Sequence, residues 1–358
     1  MSVLPARMPR GRRSGARVPV RVGPVSARVS LRTVLVSALA VVTTGVVVVL
    51  ALTAGDYPLS PGQVVAVLLG GGDAGARLVV IDLRLARVVL GLLAGAMLGV
   101  AGAIVQTTTR NGLASPDLLG VTAGAGAGAV AMLVLTGPGT VLATPVAALL
   151  GGLAAAALVA LLLRYAGSTG LQVLLVGVGV SAFFGGLTSW LLLVASIDDL
   201  ARANVWLTGS LGERGAAEAT VLAVTLAVTA VVLVPLAARL PALELGRDVA
   251  AALGHRPARA EAGLLLCAVA LTSATVAMVG PIGFVALVAP HLARMASGAP
   301  RASLVVSGLV GAAVVTASDL VARVAFAPLL LPTGAVTAAV GAPFLIWLLV
   351  LGRKGFTS

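Results

Sequence analysis

Few ionisable side chains stand close to the apolar runs of this chain: Asp117, His291, Asp319 and Arg323. Each lies near the end of such a run, where a charge can still reach water or a partner. Asp319 and Arg323 are four positions apart, so on a helix they share a face and can pair. That is structural chemistry. Acid–base catalysis needs a convergent set of groups, and ion-coupled transport needs a buried relay of charges; neither pattern is present. There is no HExxH zinc motif and no GxxxxGK[ST] loop to cradle nucleotide phosphates. Cys267 is the single cysteine, and His255 and His291 are the two histidines. That leaves no internal disulfide and no cysteine cluster, and it argues against a His-rich metal site. No metal, cofactor or enzymatic activity is expected. A pathway with so few internal charges and no energy module is passive or is driven by another subunit.

The elements that must position these residues are membrane spans. The chain has 358 residues, 59% of them hydrophobic before its 44 glycines are counted, with 10% charged and a mean hydropathy of +1.12. A soluble domain carries about 25% charged residues. Crossing a bilayer takes roughly 20 apolar residues. About ten such runs occur, near 33–53, 87–106, 118–135, 141–163, 171–194, 219–236, 262–279, 282–296, 304–325 and 333–351. The eighth is short, with Pro281 and Pro290 bracketing its first half. The runs are apolar all round, not alternating as in a β-barrel. The expectation is an all-α integral membrane protein with one domain at 31–358. Residues 1–30, rich in Arg, Pro and Gly, form a tail expected to be disordered and attracted to anionic lipid. Nucleic-acid binding is not expected, since no folded reader or aromatic interleaving is present.

Basic residues orient the bundle. With the amino terminus in the cytoplasm, ten alternating spans put eighteen Lys and Arg on the inner side and six on the outer. This satisfies the positive-inside rule and makes both termini cytoplasmic. Gly91, Gly95 and Gly99 recur at four-residue spacing, as do Gly120, Gly124 and Gly128. Such spacing predicts helix faces on which backbones approach closely.

Several segments resemble the permease subunits of importers for iron-siderophores, haem and cobalamin, the FecCD/BtuC-type family of ATP-binding-cassette transporters. They are Arg84-Leu-Ala-Arg87, Arg110-Asn-Gly-Leu-Ala-Ser-Pro-Asp-Leu-Leu-Gly-Val121, Trp206-Leu-Thr-Gly-Ser-Leu211, and Val279-Gly-Pro-Ile-Gly-Phe-Val-Ala-Leu-Val-Ala-Pro-His-Leu-Ala-Arg294. Ala317-Ser-Asp-Leu-Val-Ala-Arg323 and Leu331-Pro-Thr-Gly-Ala-Val-Thr-Ala-Ala-Val-Gly-Ala-Pro343 complete the set. The resemblance runs through nearly all of the chain after residue 30. It implies a BtuC-like, type II importer permease of ten spans that acts as a homodimer or beside a homologous permease. The implied partners are cytoplasmic ATPase subunits, an extracytoplasmic substrate-binding protein and membrane lipid. Ferric siderophores are the first implied cargo, with haem or cobalamin as alternatives and an ion-coupled carrier as the more distant one.

Residue by residue, the resemblance implies docking of acidic groups on the binding protein by Arg84, Arg87 and Arg323. Arginine suits that role because its fork pairs bidentately with carboxylates. Ala86 stands where the family has proline. The loop at about 238–258 resembles the coupling helices that seat in an ATPase cleft. Its implied contact residues are Leu245, Gly246, Ala250, Leu253 and Gly254, although Arg247 and Ala251 depart from the family's usual acid and arginine. Asn111 and Leu113 match a cytoplasmic gate, with Gly112 in place of proline. A second gate falls near Ser168 and Thr169, and His291 reads as structural.

Overall fold

A computed structural model describes residues 17–22, 25–55, 57–136, 143–166, 170–212, 214–299, 302–326 and 331–355. Residues 1–16 and the expected gate positions Ser168 and Thr169 lie outside these. The first described elements are an antiparallel pair, β1 (Arg17–Val22) and β2 (Val25–Ser30). This differs from the expected disordered tail. Val18, Val20 and Val22 alternate along one strand, and β-branched residues at period two favour an extended pair. Ser30 then caps α1 (Leu31–Thr53), its hydroxyl accepting from the Thr33 amide.

Short elements follow: α2 (Pro61–Leu68), opened by a Ser60–Gln63 capping box, and α3 (Ala74–Arg77). α3 continues through a π-helical stretch, Leu78–Leu85, into α4 (Ala86–Thr108), a continuous helical run of 35 residues. A 3₁₀ turn, Pro116–Leu119, leads into α5 (Val121–Thr136), α6 (Ala143–Ala166) and α7 (Gly170–Val194). Next come α8 (Ile197–Leu207) and α9 (Ala216–Ala237), then the paired short helices α10 (Leu240–Glu244) and α11 (Arg247–Ala252). The chain closes with α12 (Pro257–Val279), α13 (Val285–Ser297), α14 (Leu304–Val324) and α15 (Thr333–Gly355).

Each expected apolar run is a helix, but their lengths differ. Among the described residues seven are long and apolar enough to cross a membrane, while Val121–Thr136 and Thr333–Leu348 are shorter apolar helices. α13 has 13 residues, about 20 Å at 1.5 Å per residue, too short to cross roughly 30 Å of hydrocarbon alone. It follows a non-helical break over 280–283 and begins at Phe284 with φ +67°. α8 has no counterpart among the expected apolar runs. Asp198, Asp199 and Arg202 make it amphipathic and hid it from a scan for apolar runs.

α4 and α12 form the centre, with 72% of their most apolar windows buried against 11% for α1 and α7. Close approach of backbones builds that centre. A Cβ on Gly95 would stand 2.3 Å from the Gly311 carbonyl oxygen, one on Gly99 2.1 Å from that of Ser307, and one on Gly102 1.7 Å from that of Ala286. The face expected from Gly91, Gly95 and Gly99 therefore packs on α14 and extends to α13. Gly124 and Gly128 pack in the same way on α6, against Gly151 and Ala147. Gly120 does not join them: it lies outside α5 with φ +77° and closes the 3₁₀ turn.

Candidate functional site: the two ends of the bundle

Polar chemistry collects where the amino end of α4 meets the carboxyl end of α14. Arg84 sits in the π-helical stretch, 6% exposed. Its Nη1 donates to the carbonyls of Leu52 at 2.7 Å and Thr53 at 3.3 Å, and its Nη2 to that of Tyr57 at 2.7 Å. The last carbonyls of a helix lack intrahelical partners and carry partial negative charge. The guanidinium thus satisfies the end of α1. Arg87, one turn further on, forks onto Asp319 of α14: Nε lies 3.0 Å from both carboxylate oxygens and Nη2 2.7 Å from Oδ1. Arg323 approaches Oδ2 of the same carboxylate at 3.3 Å and donates to the Ala51 carbonyl at 3.3 Å. The Thr333 hydroxyl, at the start of α15, donates to Oδ1 at 2.9 Å. One carboxylate, 4% exposed at its side chain, joins α4, α14 and α15. A buried ion pair of this kind costs desolvation to form and far more to break on one side.

Beside this cluster three backbones meet. The Gly334 amide donates to the Gly209 carbonyl and the Ser210 amide to the Val279 carbonyl, each at 2.9 Å. Glycine is required at this crossing. A Cβ on Gly334 would lie 2.0 Å from the Thr208 oxygen, and one on Gly209 2.0 Å from the Pro281 oxygen. Gly209 and Gly280 also have φ of +67° and +74°, which β-carbons disfavour. The end of α8, the break between α12 and α13 and the start of α15 are fastened together here.

The opposite end of α4 carries a different surface. Arg110 ends the helix at φ +52° and donates from Nη2 to the Leu243 carbonyl of α10 at 2.9 Å. The Asn111 Oδ1 accepts from the Leu113 amide at 3.0 Å, an Asx turn. Asn111, Val105, Leu118, Val173 and Leu174 line a shallow pocket, so this loop faces the beginning of α7. On the neighbouring α10–α11 pair, Leu245, Val249 and Leu253 are exposed, at 63%, 45% and 60%. Gly246 and Gly254 bracket α11 with φ of +114° and +83°, and nothing lies within 4 Å of a Cβ at either. Ala250 is fully buried in the cluster that holds Leu243, Ala260 and Leu264. Arg247 reaches back to Glu261 of α12, which pushes its guanidinium up from the ordinary value by hydrogen bonding.

These features can be compared with known proteins. The description of the FecCD transport family matches residues 40–351. The chain belongs to that family. It is 38% identical over 299 residues to the ferric enterobactin transport system permease protein FepG of Escherichia coli strain K12, covering 84% of this chain and 90% of the relative. It is also 38% identical over 336 residues to the achromobactin transport system permease protein CbrC of Dickeya dadantii strain 3937, covering 93% and 96%. A solved metal-chelate type ABC transporter in an inward-facing conformation superposes with a TM-score of 0.78 at 28% identity, covering 88% of this chain and 98% of that one.

Within this FecCD-family permease, the residues expected to act are distributed unevenly. Arg84, Arg87 and Arg323 do come together at one end, where Arg84 is buried and donates to carbonyls around the end of α1. Leu245, Gly246, Leu253 and Gly254 lie on the opposite end, the leucines exposed and the glycines at positive φ. Ala250 instead faces inward and anchors α11, because on so short a helix one residue in three or four must face the bundle. Asn111 and Leu113 form one turn beside the α10–α11 pair. The spacing of Asp319 and Arg323 points only to a shared helix face; the bond of Asp319 to Arg87, 232 positions away, has no local signal.

Proposed function

We propose that this multi-pass permease is the membrane subunit of an ATP-binding-cassette importer that carries ferric-siderophore chelates into the cytoplasm, powered by separate ATPase subunits. The observation that carries this reading is the 38% identity, across most of both chains, to permeases named for ferric enterobactin and achromobactin. The arginine end faces outward, toward a substrate-binding protein, and the α10–α11 end faces the ATPases, with both termini cytoplasmic. The excess of basic residues on that inner side supports the orientation. Arg87 and Arg323 supply the docking charge, and Arg84 holds the end of α1 beneath them. Leu245 and Leu253 are the apolar anchors for an ATPase cleft, and Gly246 and Gly254 let α11 turn as it seats. Asn111 and Leu113, facing α7, narrow the pathway at that side. Two copies, or one copy and a homologous permease, enclose the pathway. Nucleotide binding draws the coupling ends together, and the closely packed helices tilt as rigid units.

Radioiron uptake tests the reading. Vesicles holding the permease, its ATPases and its binding protein are expected to accumulate a ferric siderophore in an ATP-dependent manner that survives an uncoupler. Accumulation that an uncoupler abolishes and ATP depletion spares would overturn it. Selective uptake of haem or cobalamin over ferric chelates would replace the cargo.

A further inference from the structure

We infer that Asp319 and Thr333 are positioning residues that transmit docking at the arginine end to the break between α12 and α13. The inference rests on the importer reading above. Its basis is a continuous chain of short polar contacts. Arg87 Nη2 and the Thr333 hydroxyl share a single oxygen of Asp319, Oδ1, at 2.7 and 2.9 Å. Any partner carboxylate that draws Arg87 outward must change what Oδ1 bonds to, and Thr333 is the other group on that atom. The next residue, Gly334, donates its amide to Gly209, and Ser210 donates to Val279, the last residue of α12. Gly280 follows, packed so tightly that a Cβ there would stand 2.6 Å from the Trp206 carbonyl oxygen. Contacts this close leave no slack between α8, α15 and the break, so displacement at one is felt at the others.

The charges favour such a switch. Two guanidiniums, Arg87 and Arg323, share one carboxylate. These three side chains therefore leave one positive charge uncompensated, and Arg84 nearby adds to it, so the site favours an acidic group on a partner. Asp319 holds both forks in place until that group arrives, so docking must offset the bond that Arg87 gives up. Thr333 reads the exchange without meeting the partner.

The test uses the assembled transporter in nanodiscs, with ATPases bound, and its purified binding protein loaded with chelate. Thr333→Val removes the hydroxyl and keeps the shape; Thr333→Ser keeps the hydroxyl. In Thr333→Val the binding protein is expected to dock with an affinity within about twofold of wild type, while its stimulation of ATP hydrolysis falls by at least about fivefold, the lower range of an allosteric coupling. Thr333→Ser should restore the stimulation. Full stimulation in Thr333→Val, an equal loss in Thr333→Ser, or a parallel fall of basal and stimulated rates would each overturn the inference. Should Thr333→Val fail to assemble, Thr333→Ala carries the same expectation. If the binding protein neither docks on nor stimulates the wild-type complex, the importer reading fails instead.

Discussion

The two ends of this permease handle their exposed chemistry in opposite ways. At the arginine end the three expected docking arginines already have internal partners: Arg84 the carbonyls near the end of α1, Arg87 and Arg323 the carboxylate of Asp319. At the α10–α11 end three large apolar side chains, Leu245, Val249 and Leu253, stand in the open, the last two between glycines of positive φ. The first surface is pre-organised and has to exchange partners. The second is incomplete and has to acquire one. Electrostatic exchange suits a binding protein that arrives and leaves with each cycle, because charge governs encounter rate and salt sensitivity. Apolar burial suits a subunit that stays bound. Arg110 ties the turn at Asn111 to α10.

This contrast can be broken by substitutions ranked on the stability of the folded permease. Asp319→Ala should cost most, about 3–5 kcal/mol, because it strands Arg87 and Arg323 beside each other in a buried site. Thermal unfolding in detergent measures it, and a melting temperature close to wild type would mean that water already shields the pair. Arg84→Ala should come next, at about 1–3 kcal/mol, by leaving carbonyls near the end of α1 unpaired. If it instead left stability intact and weakened docking of the binding protein, Arg84 would be a contact residue and the assignment made from its burial would be wrong.

Effects at the other end should be small on the same scale. Arg247→Ala breaks a pair whose arginine is 51% exposed, and solvent screening should hold the loss to under about 1 kcal/mol. Leu253→Asp should change stability least, within about 0.5 kcal/mol for an exposed position, yet abolish ATP hydrolysis coupled to transport. Retained coupling in that variant, read as hydrolysis by reconstituted complexes, would remove α11 from the ATPase interface. Gly246→Pro should uncouple in the same way, since proline fixes φ near −65° and the position needs +114°.

Much of the fold was legible because lipid imposes a blunt requirement. Backbone groups in hydrocarbon must bond within their own segment, so long apolar runs become helices. α1, α6, α7, α9, α12 and α14 appear within a few residues of where hydropathy puts them. The same scan passed over α8, whose charges lower its hydropathy, and read α13 as a span because composition does not report where a helix breaks. Glycine spacing on α4 announced a close helix contact. It did not name α14 as the neighbour, nor show that Gly102 extends the face to α13.

The candidate site was legible mainly as residue types. Arg84 and Arg87 look equivalent in sequence, three positions apart, yet one is buried on carbonyls and the other reaches across to α14. Leu245 and Leu253 could be picked out because they stand in a short segment with Glu244, Arg247 and Asp248 and beside glycines. Ala250 could not be separated from Ala251 without knowing which face of α11 meets α12.

The sequence alone determined that this is a helical membrane protein, where its apolar segments lie, and that no GxxxxGK[ST] stretch is written in it. Those properties follow from composition and local spacing, which the chain carries wherever it folds. Only the tertiary structure decided that Asp319 sits between two arginines and Thr333, that Arg84 serves the end of α1, and that three glycines let α8, α12 and α15 touch. Those depend on groups up to hundreds of residues apart meeting within 3 Å or so, and no local pattern fixes such a meeting.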